Sequence, residues 1–185
     1  MDGPFYVDTR APHINADIAA VTLATTAKGL VPVANLPVLG SNYFGWVGKA
    51  IRMRLWGRIT TGATPGNMTA QIMWGNGADA NGTIIAATAA TALTASQTNL
   101  TWEWDIFVRC RALGVTGALI GHGMFNANVA VLASTLQPVM MPASAPAQVT
   151  VDLTQAFVLS PQFIRSGSTA ETMQVHEFIF EAVNC

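Results

Sequence analysis

The sequence predicts an all-β protein: an antiparallel jelly-roll β-sandwich entered by an extended N-terminal arm. Three observations carry that prediction. Apolar and polar residues alternate with a period of two over the longest segments, turn signals recur between those segments, and no helical period of comparable length competes.

Residues 1–20 show no sustained alternation and hold Pro4, Pro12 and three aspartates, so they read as an arm outside the sandwich. Ordinary disorder of a chain terminus is the competing reading. Residues 21–185 then form a single domain. Short strands are expected at 21–25, 67–74, 83–87, 117–125, 148–152 and 157–159. The strongest signal lies at 49–60, where Ile51, Met53, Leu55 and Ile59 share one face and Arg52, Arg54 and Arg58 the other. A helix would scatter those arginines around its circumference. Residues 101–111 repeat the device: Trp102, Trp104, Ile106, Val108 and Cys110 oppose Glu103, Asp105, Arg109 and Arg111. Near the C-terminus His176, Phe178, Phe180 and Ala182 alternate with Glu177, Ile179 and Glu181. Alanine favours a helix over 84–95, but Thr88, Thr91 and Thr94 resist it and no cap follows. Residues 137–146, with Pro138, Pro142 and Pro146, should be a loop or an irregular edge.

Composition narrows the function classes. The chain has 185 residues, nine Lys+Arg against ten Asp+Glu, and a net charge of -1. A near-zero charge argues against a nucleic-acid binder, which needs a basic face to displace counterions. No run of about 18 strongly apolar residues reads as a membrane span, and residues 1–4 lack the start of a secretory signal. Charged residues are only 10% of the chain against 51% hydrophobic, where about 25% charged is usual. Such a surface is poorly protected against self-association. Either an assembly covers much of it, or the protein is a compact monomer of marginal solubility.

Candidates for chemistry are few. His13, His122 and His176 have no second ligand at metal spacing. His122 should face a strand pair, and His176 should be a satisfied inward histidine. Cys110 falls on a tryptophan-bearing face and reads as a small buried hydrophobe; Cys185 reads as an exposed thiol. Residues 75–82 bring Asn76, Asp79 and Asn81 together, yet have too few carboxylates for a calcium loop, so a hairpin turn is the simpler reading. Glu103 and Asp105 share a strand face as catalytic pairs sometimes do. Arginines on and opposite that face make cross-strand ion pairing the simpler account. Docking onto an acidic partner is a further use for the arginines. Trp46, Trp56 and Trp74 could form a glycan platform or pack in a core or interface. No metal or cofactor site is expected.

The segments 42–69, 92–102 and 165–172 carry a Gly-Lys-apolar-Arg strand, a Thr-Pro-Gly turn and a Trp-bearing strand with charges on its other face. Together they resemble the small jelly-roll, tumour-necrosis-factor-like virion proteins of tailed bacteriophages, over roughly residues 21–184. The resemblance implies a non-enzymatic homotrimer that decorates the outside of the head and stabilises it. The major capsid protein would be its partner, and the virion surface its location after synthesis in the bacterial cytoplasm. Similar jelly rolls occur in fibres and tail parts, so a receptor module that recognises host-surface glycans is the alternative.

On that implied role, an extended arm suits capsid contact, because it covers much partner surface while ordering only on docking. The residues assigned to it are Asp2, Pro4, Phe5, Tyr6, Asp8, Arg10 and His13, with the 138–146 loop as a second candidate. Arg52, Arg54, Arg58, Trp56, Arg109 and Arg111 are assigned to an oligomer or partner interface.

Overall fold

The structure, a computed structural model, describes residues 17–133, 137–167 and 169–183. Alternation is written most plainly into β3 (Ala50–Thr60), whose Ile51, Met53, Leu55 and Ile59 are fully buried while Arg52, Arg54, Trp56 and Arg58 face outward. It is flanked along its length by β7 (Leu100–Ala112) and β12 (Thr172–Val183). The other strands are β1 (Val21–Thr22), β2 (Lys28–Gly29), β4 (Asn67–Gly75), β5 (Thr83–Ala87), β6 (Thr91–Ala92), β8 (Gly117–Ala127), β9 (Val139–Met141), β10 (Val149–Val151) and β11 (Val158–Arg165). A single 3-10 turn at Val33–Asn35 is the one helical element among the described residues.

Two antiparallel sheets pack as a sandwich. The larger runs β1-β12-β3-β7-β8-β10, with β9 also on β8; the smaller runs β2-β11-β4-β5, with β6 also on β4. The first long strand pairs with the last, and β4 pairs with β11. This nesting is jelly-roll-like. Between the sheets lies an aromatic and aliphatic core in which Trp102, Trp104 and Phe125 all contact the ring of Phe163. The indole N–H groups of Trp102 and Trp104 are buried there without an acceptor among the described residues. Each such orphan costs about 1–3 kcal/mol, which the aromatic packing has to exceed.

Two glycines mark close approaches. A Cβ on Gly57 would meet the Gln174 carbonyl oxygen at 1.8 Å and Trp102 at 2.8 Å. One on Gly121 would meet Ala86 at 3.0 Å and Ile85 at 3.1 Å across the sandwich.

The structure departs from the sequence reading at identifiable places. The strand expected at 157–159 continues to Arg165 through Pro161. The Pro161 carbonyl accepts from Leu30 N–H at the end of the two-residue β2, so the missing amide falls where the ladder stops. A β-bulge between Val175 and Glu177 breaks the C-terminal alternation. Phe178 and Phe180 stay in the core, but His176 turns to the surface, where its Nδ1 meets the Asp17 carboxylate. The 137–146 stretch does hold a strand, β9, but at a sheet edge between cis prolines 138 and 142. Ile18 is buried and donates its N–H to Val175 O at 2.9 Å, so the sandwich already includes part of the stretch read as an arm.

The corner between β11 and β12 is held by an ion pair. Glu171 is wholly buried, and its carboxylate lies 3.2 Å from Arg165 Nε and accepts from Thr169 Oγ1 at 2.6 Å. Arg165 also donates to Leu23 O at 2.7 Å, which ties the N-terminal strand to this corner. Removing one partner strands the other in a low-dielectric site. Glu171→Ala should therefore lower unfolding stability by about 3 kcal/mol, measured in urea at fixed protein concentration. Replacing Arg165 and Glu171 together with Met and Leu should restore most of that loss.

Candidate interaction face

The two sheets differ in what covers them. In the smaller sheet, residues 158–163 of β11 and 70–74 of β4 are buried on both faces. Part of the cover is the 76–82 loop. Gln162 donates to Ala78 O at 3.0 Å and accepts from Ala80 N–H at 3.1 Å. Asp79 takes Lys28 Nζ at 2.7 Å and Gly29 N–H at 2.8 Å. Partial burial pushes the Asp79 carboxyl up, but Lys28 and the Gly29 amide outweigh it and hold the group below its usual range. That carboxylate is a latch for the loop. Among the described residues no group of three or more His, Cys, Asp or Glu could hold a metal ion.

Among the described residues, the outer face of the larger sheet carries exposed and half-buried side chains. Pairing register places its side chains in rows across β12, β3, β7 and β8: Glu181, Arg52, Phe107, His122; then Ile179, Arg54, Asp105, Met124; then Glu177, Trp56, Glu103, Asn126. Arg52 grips Asp105 with two parallel bonds, Nε–Oδ1 at 3.0 Å and Nη2–Oδ2 at 2.5 Å. This holds the Arg52 guanidinium more firmly protonated than usual. Arg54 Nε approaches the same carboxylate at 3.8 Å. Arg58 donates twice to Gln174 Oε1, at 2.9 and 2.7 Å, and Asn126 donates to Glu103 at 2.9 Å. The expected cross-strand ion pairing is therefore present, with each such pair contributing about 0.2–1 kcal/mol.

Aromatic rings sit between the charges. The Arg54 guanidinium lies 4.6 Å from the Trp56 ring centre, and that of Arg52 lies 5.2 Å from Phe107. Phe107 stacks on His122 at 5.3 Å, nearly parallel. A shallow open groove of about 370 Å³ runs beside Trp56, bordered by Thr101, Glu103, Asn126 and Asn128. Neither alternation nor spacing could reveal this groove, because it needs the β3–β7–β8 register.

Of the residues assigned to an interface, Arg52, Arg54, Trp56 and Arg58 come together with Glu103 and Asp105 on this face. Arg109 and Arg111 stand farther along β7, the latter at a bulge. Asp2, Pro4, Phe5, Tyr6, Asp8, Arg10 and His13 lie outside the described residues, as does Cys185. The three candidate tryptophans do not form one platform. Trp74 is buried in the other sheet, stacked on Phe157 at 3.4 Å, and Trp46 lies in the loop before β3. Cys110 is buried in the core, and that burial pushes its thiol up.

No family model matches the chain, and no curated protein sequence matches it. Among solved structures, a legume lectin-like domain from Entamoeba histolytica is similar over 89% of this chain and 97% of that one, at 9% identity and a TM-score of 0.27. A superposition that loose says nothing about ligand or partner.

His122 reports on the face directly. Burial and the charge of Arg109 push its imidazole down, against a smaller upward pull from Asp105. A base with a depressed folded pKa is neutral in the folded state, and it destabilises that state as pH falls through the unfolded value of about 6.5. An NMR titration should give a His122 midpoint below 6.5, lower still in Asp105→Asn. A midpoint at or above 6.5 would contradict this electrostatic account.

Proposed function

We propose that this chain is a structural protein of a bacteriophage particle, a homotrimeric decoration protein that binds the assembled head and stabilises it. The resemblance to small jelly-roll virion proteins supports the kind of protein and the number three. The observation that carries the adhesive reading is the distribution of charge. The chain has nineteen charged residues, and nine of them stand on the outer face of one sheet: Arg52, Arg54, Arg58, Arg109, Arg111, Glu103, Asp105, Glu177 and Glu181.

Five cations and four anions stand there in columns along the strands, with Arg52, Arg54 and Arg58 on β3 and Glu177 and Glu181 on β12, so that one part of the face complements another. A copy offset by one strand brings an arginine column over a carboxylate column. Ile179, Trp56 and Phe107 lie between charges within these columns, and with Met124 on β8 they supply apolar area to bury. Closed rings of identical subunits use heterologous contacts of this kind. Binding the assembled shell in preference to its free subunits then stabilises the shell by mass action.

One observation favours the second reading, a fibre or tail module for host-surface glycans. The groove beside Trp56 offers an aromatic ring among Thr101, Glu103, Asn126 and Asn128, which suits a sugar's apolar face and hydroxyls. The two readings make opposite demands on Trp56. An interface buries it, whereas a glycan site leaves it open.

Light scattering after size-exclusion chromatography should give about three times the 19.5 kDa chain mass. Arg54→Glu should shift it towards monomer with an unchanged circular dichroism spectrum. A monomeric wild type whose Trp56 fluorescence responds to glycans would replace the decoration reading with the receptor one.

A further inference from the structure

One end of the sandwich is poor in charge. There β3, β8 and β11 begin and β4, β7 and β12 end. Much of its surface comes from residues 30–48, 112–117 and 153–157, thirty residues with no Asp, Glu, Lys, Arg or His among them, while the 76–82 loop that follows β4 brings Asp79, paired with Lys28, and Arg111 stands at the rim. At the usual fraction about seven would be charged. Backbone bonds knit the three stretches into one surface. Asn42 donates to Leu153 O at 3.1 Å, Leu153 to Gly114 O at 3.1 Å, and Gly48 to Cys110 O at 2.9 Å.

Large apolar side chains are left in the open on it: Val38 at 71% exposure, Val115 at 68%, Val47 at 57%, Leu113 at 45% and Trp46 at 44%. Together these expose on the order of 400 Å², a size at which a surface patch is commonly functional. The charges at the base of these loops turn back on their own chain. Lys49 donates to Tyr43 O at 2.9 Å and lies over the rings of Tyr43 and Trp46. Asp152 accepts from Thr154 N–H at 2.9 Å and from its hydroxyl at 2.6 Å. The loops at the opposite end, residues 61–66, 94–99 and 128–133, expose one large apolar side chain, Val129.

We propose that the apolar patch of this charge-poor end is the docking surface for the head shell, and that its partner is an apolar protein surface on the assembled capsid subunits. The inference rests on the decoration reading and adds the direction in which the particle is mounted. In a ring closed through the β3 and β7 face, every copy points the same way along the axis. Three charge-poor ends then form one platform, with the charged faces turned inward between subunits. Charge matching selects protein over lipid as the occupant. A loop cluster that docks on membranes combines its aromatics with free Lys or Arg for anionic headgroups; here Lys49 is engaged by Tyr43 and Trp46, Lys28 by Asp79, and Arg111 belongs to the charged sheet face at the rim.

The test uses the full-length protein and phage heads that lack it. Wild type should co-sediment with heads, and V47D/V115D should bind at least tenfold more weakly. The variant should keep the wild-type mass by light scattering and the same thermal midpoint, since both valines are exposed and lie outside the core. V47S/V115S, which adds no charge, should fall between the two. If the double Asp variant binds heads like wild type, the docking surface lies elsewhere while the decoration reading stands. Wild type that never binds heads overturns both. Binding of wild type but not of V47D/V115D to neutral phosphatidylcholine vesicles would assign the end to lipid instead. A wild-type mass above the trimer that V47D/V115D abolishes would assign it to further copies of the chain.

Discussion

The register of β3 between β12 and β7 is the constraint on which the rest of the molecule depends. Side chains alternate along a strand, so a slip of one residue would drive Arg52, Arg54 and Arg58 into the core and turn Ile51, Met53, Leu55 and Ile59 into water. Burying unpaired guanidinium groups is prohibitive, and that penalty fixes β3 from both sides. With β3 fixed, Asp105 falls beside Arg54 and one step from Arg52, Glu103 beside Trp56, and Gln174 beside Arg58. The ion-paired face follows from the same choice that fills the core. Each pair on it contributes little, whereas the alternation that placed them governs a core running through both sheets.

What could be read from the sequence divides along physical lines. Strands with one wet and one dry face announce themselves, and β3 and β7 fall within one residue of their expected bounds; β4 and β5 do so as well, set off by the turn residues that flank them. The doubly covered β11 does not. In β11, Val158, Ser160, Gln162 and Phe163 are all buried, because loop residues 78–80 cap the outward side chain of Gln162. Alternation vanishes there, and Pro161 conceals the remainder. His176 went astray for another reason: a single inserted residue at the β12 bulge reverses the face of everything before it, and no local pattern marks the insertion. The two-residue strands β2 and β6 exist only because a neighbour supplies the partner.

The candidate interaction face was half legible. Its arginines and carboxylates stand out as polar positions in alternating runs. Their grouping depends on a return of the chain from Arg58 to Gln174, a separation no local signal spans. The Trp46, Trp56 and Trp74 trio failed in the opposite sense. Residues of one type invited grouping, but β4 lies in the other sheet and carries Trp74 onto Phe157.

The low charge of the chain takes on a definite shape once the sheets are placed. Charge is not thinned evenly. It is gathered on one face, used in pairs within the chain such as the buried Arg165–Glu171 and the exposed Lys28–Asp79, and kept sparse at one end. A solitary soluble protein gains from the reverse arrangement, with charges spread to keep copies apart. Concentrating them where they can match a second copy, and leaving a bare apolar end perpendicular to that face, gives two surfaces of different chemistry at right angles. One discriminates by charge register and suits identical partners. The other has no register to enforce and suits a broad apolar seat. In the proposed assembly the specific contact forms first, and the adhesive one only after the copies have combined their ends.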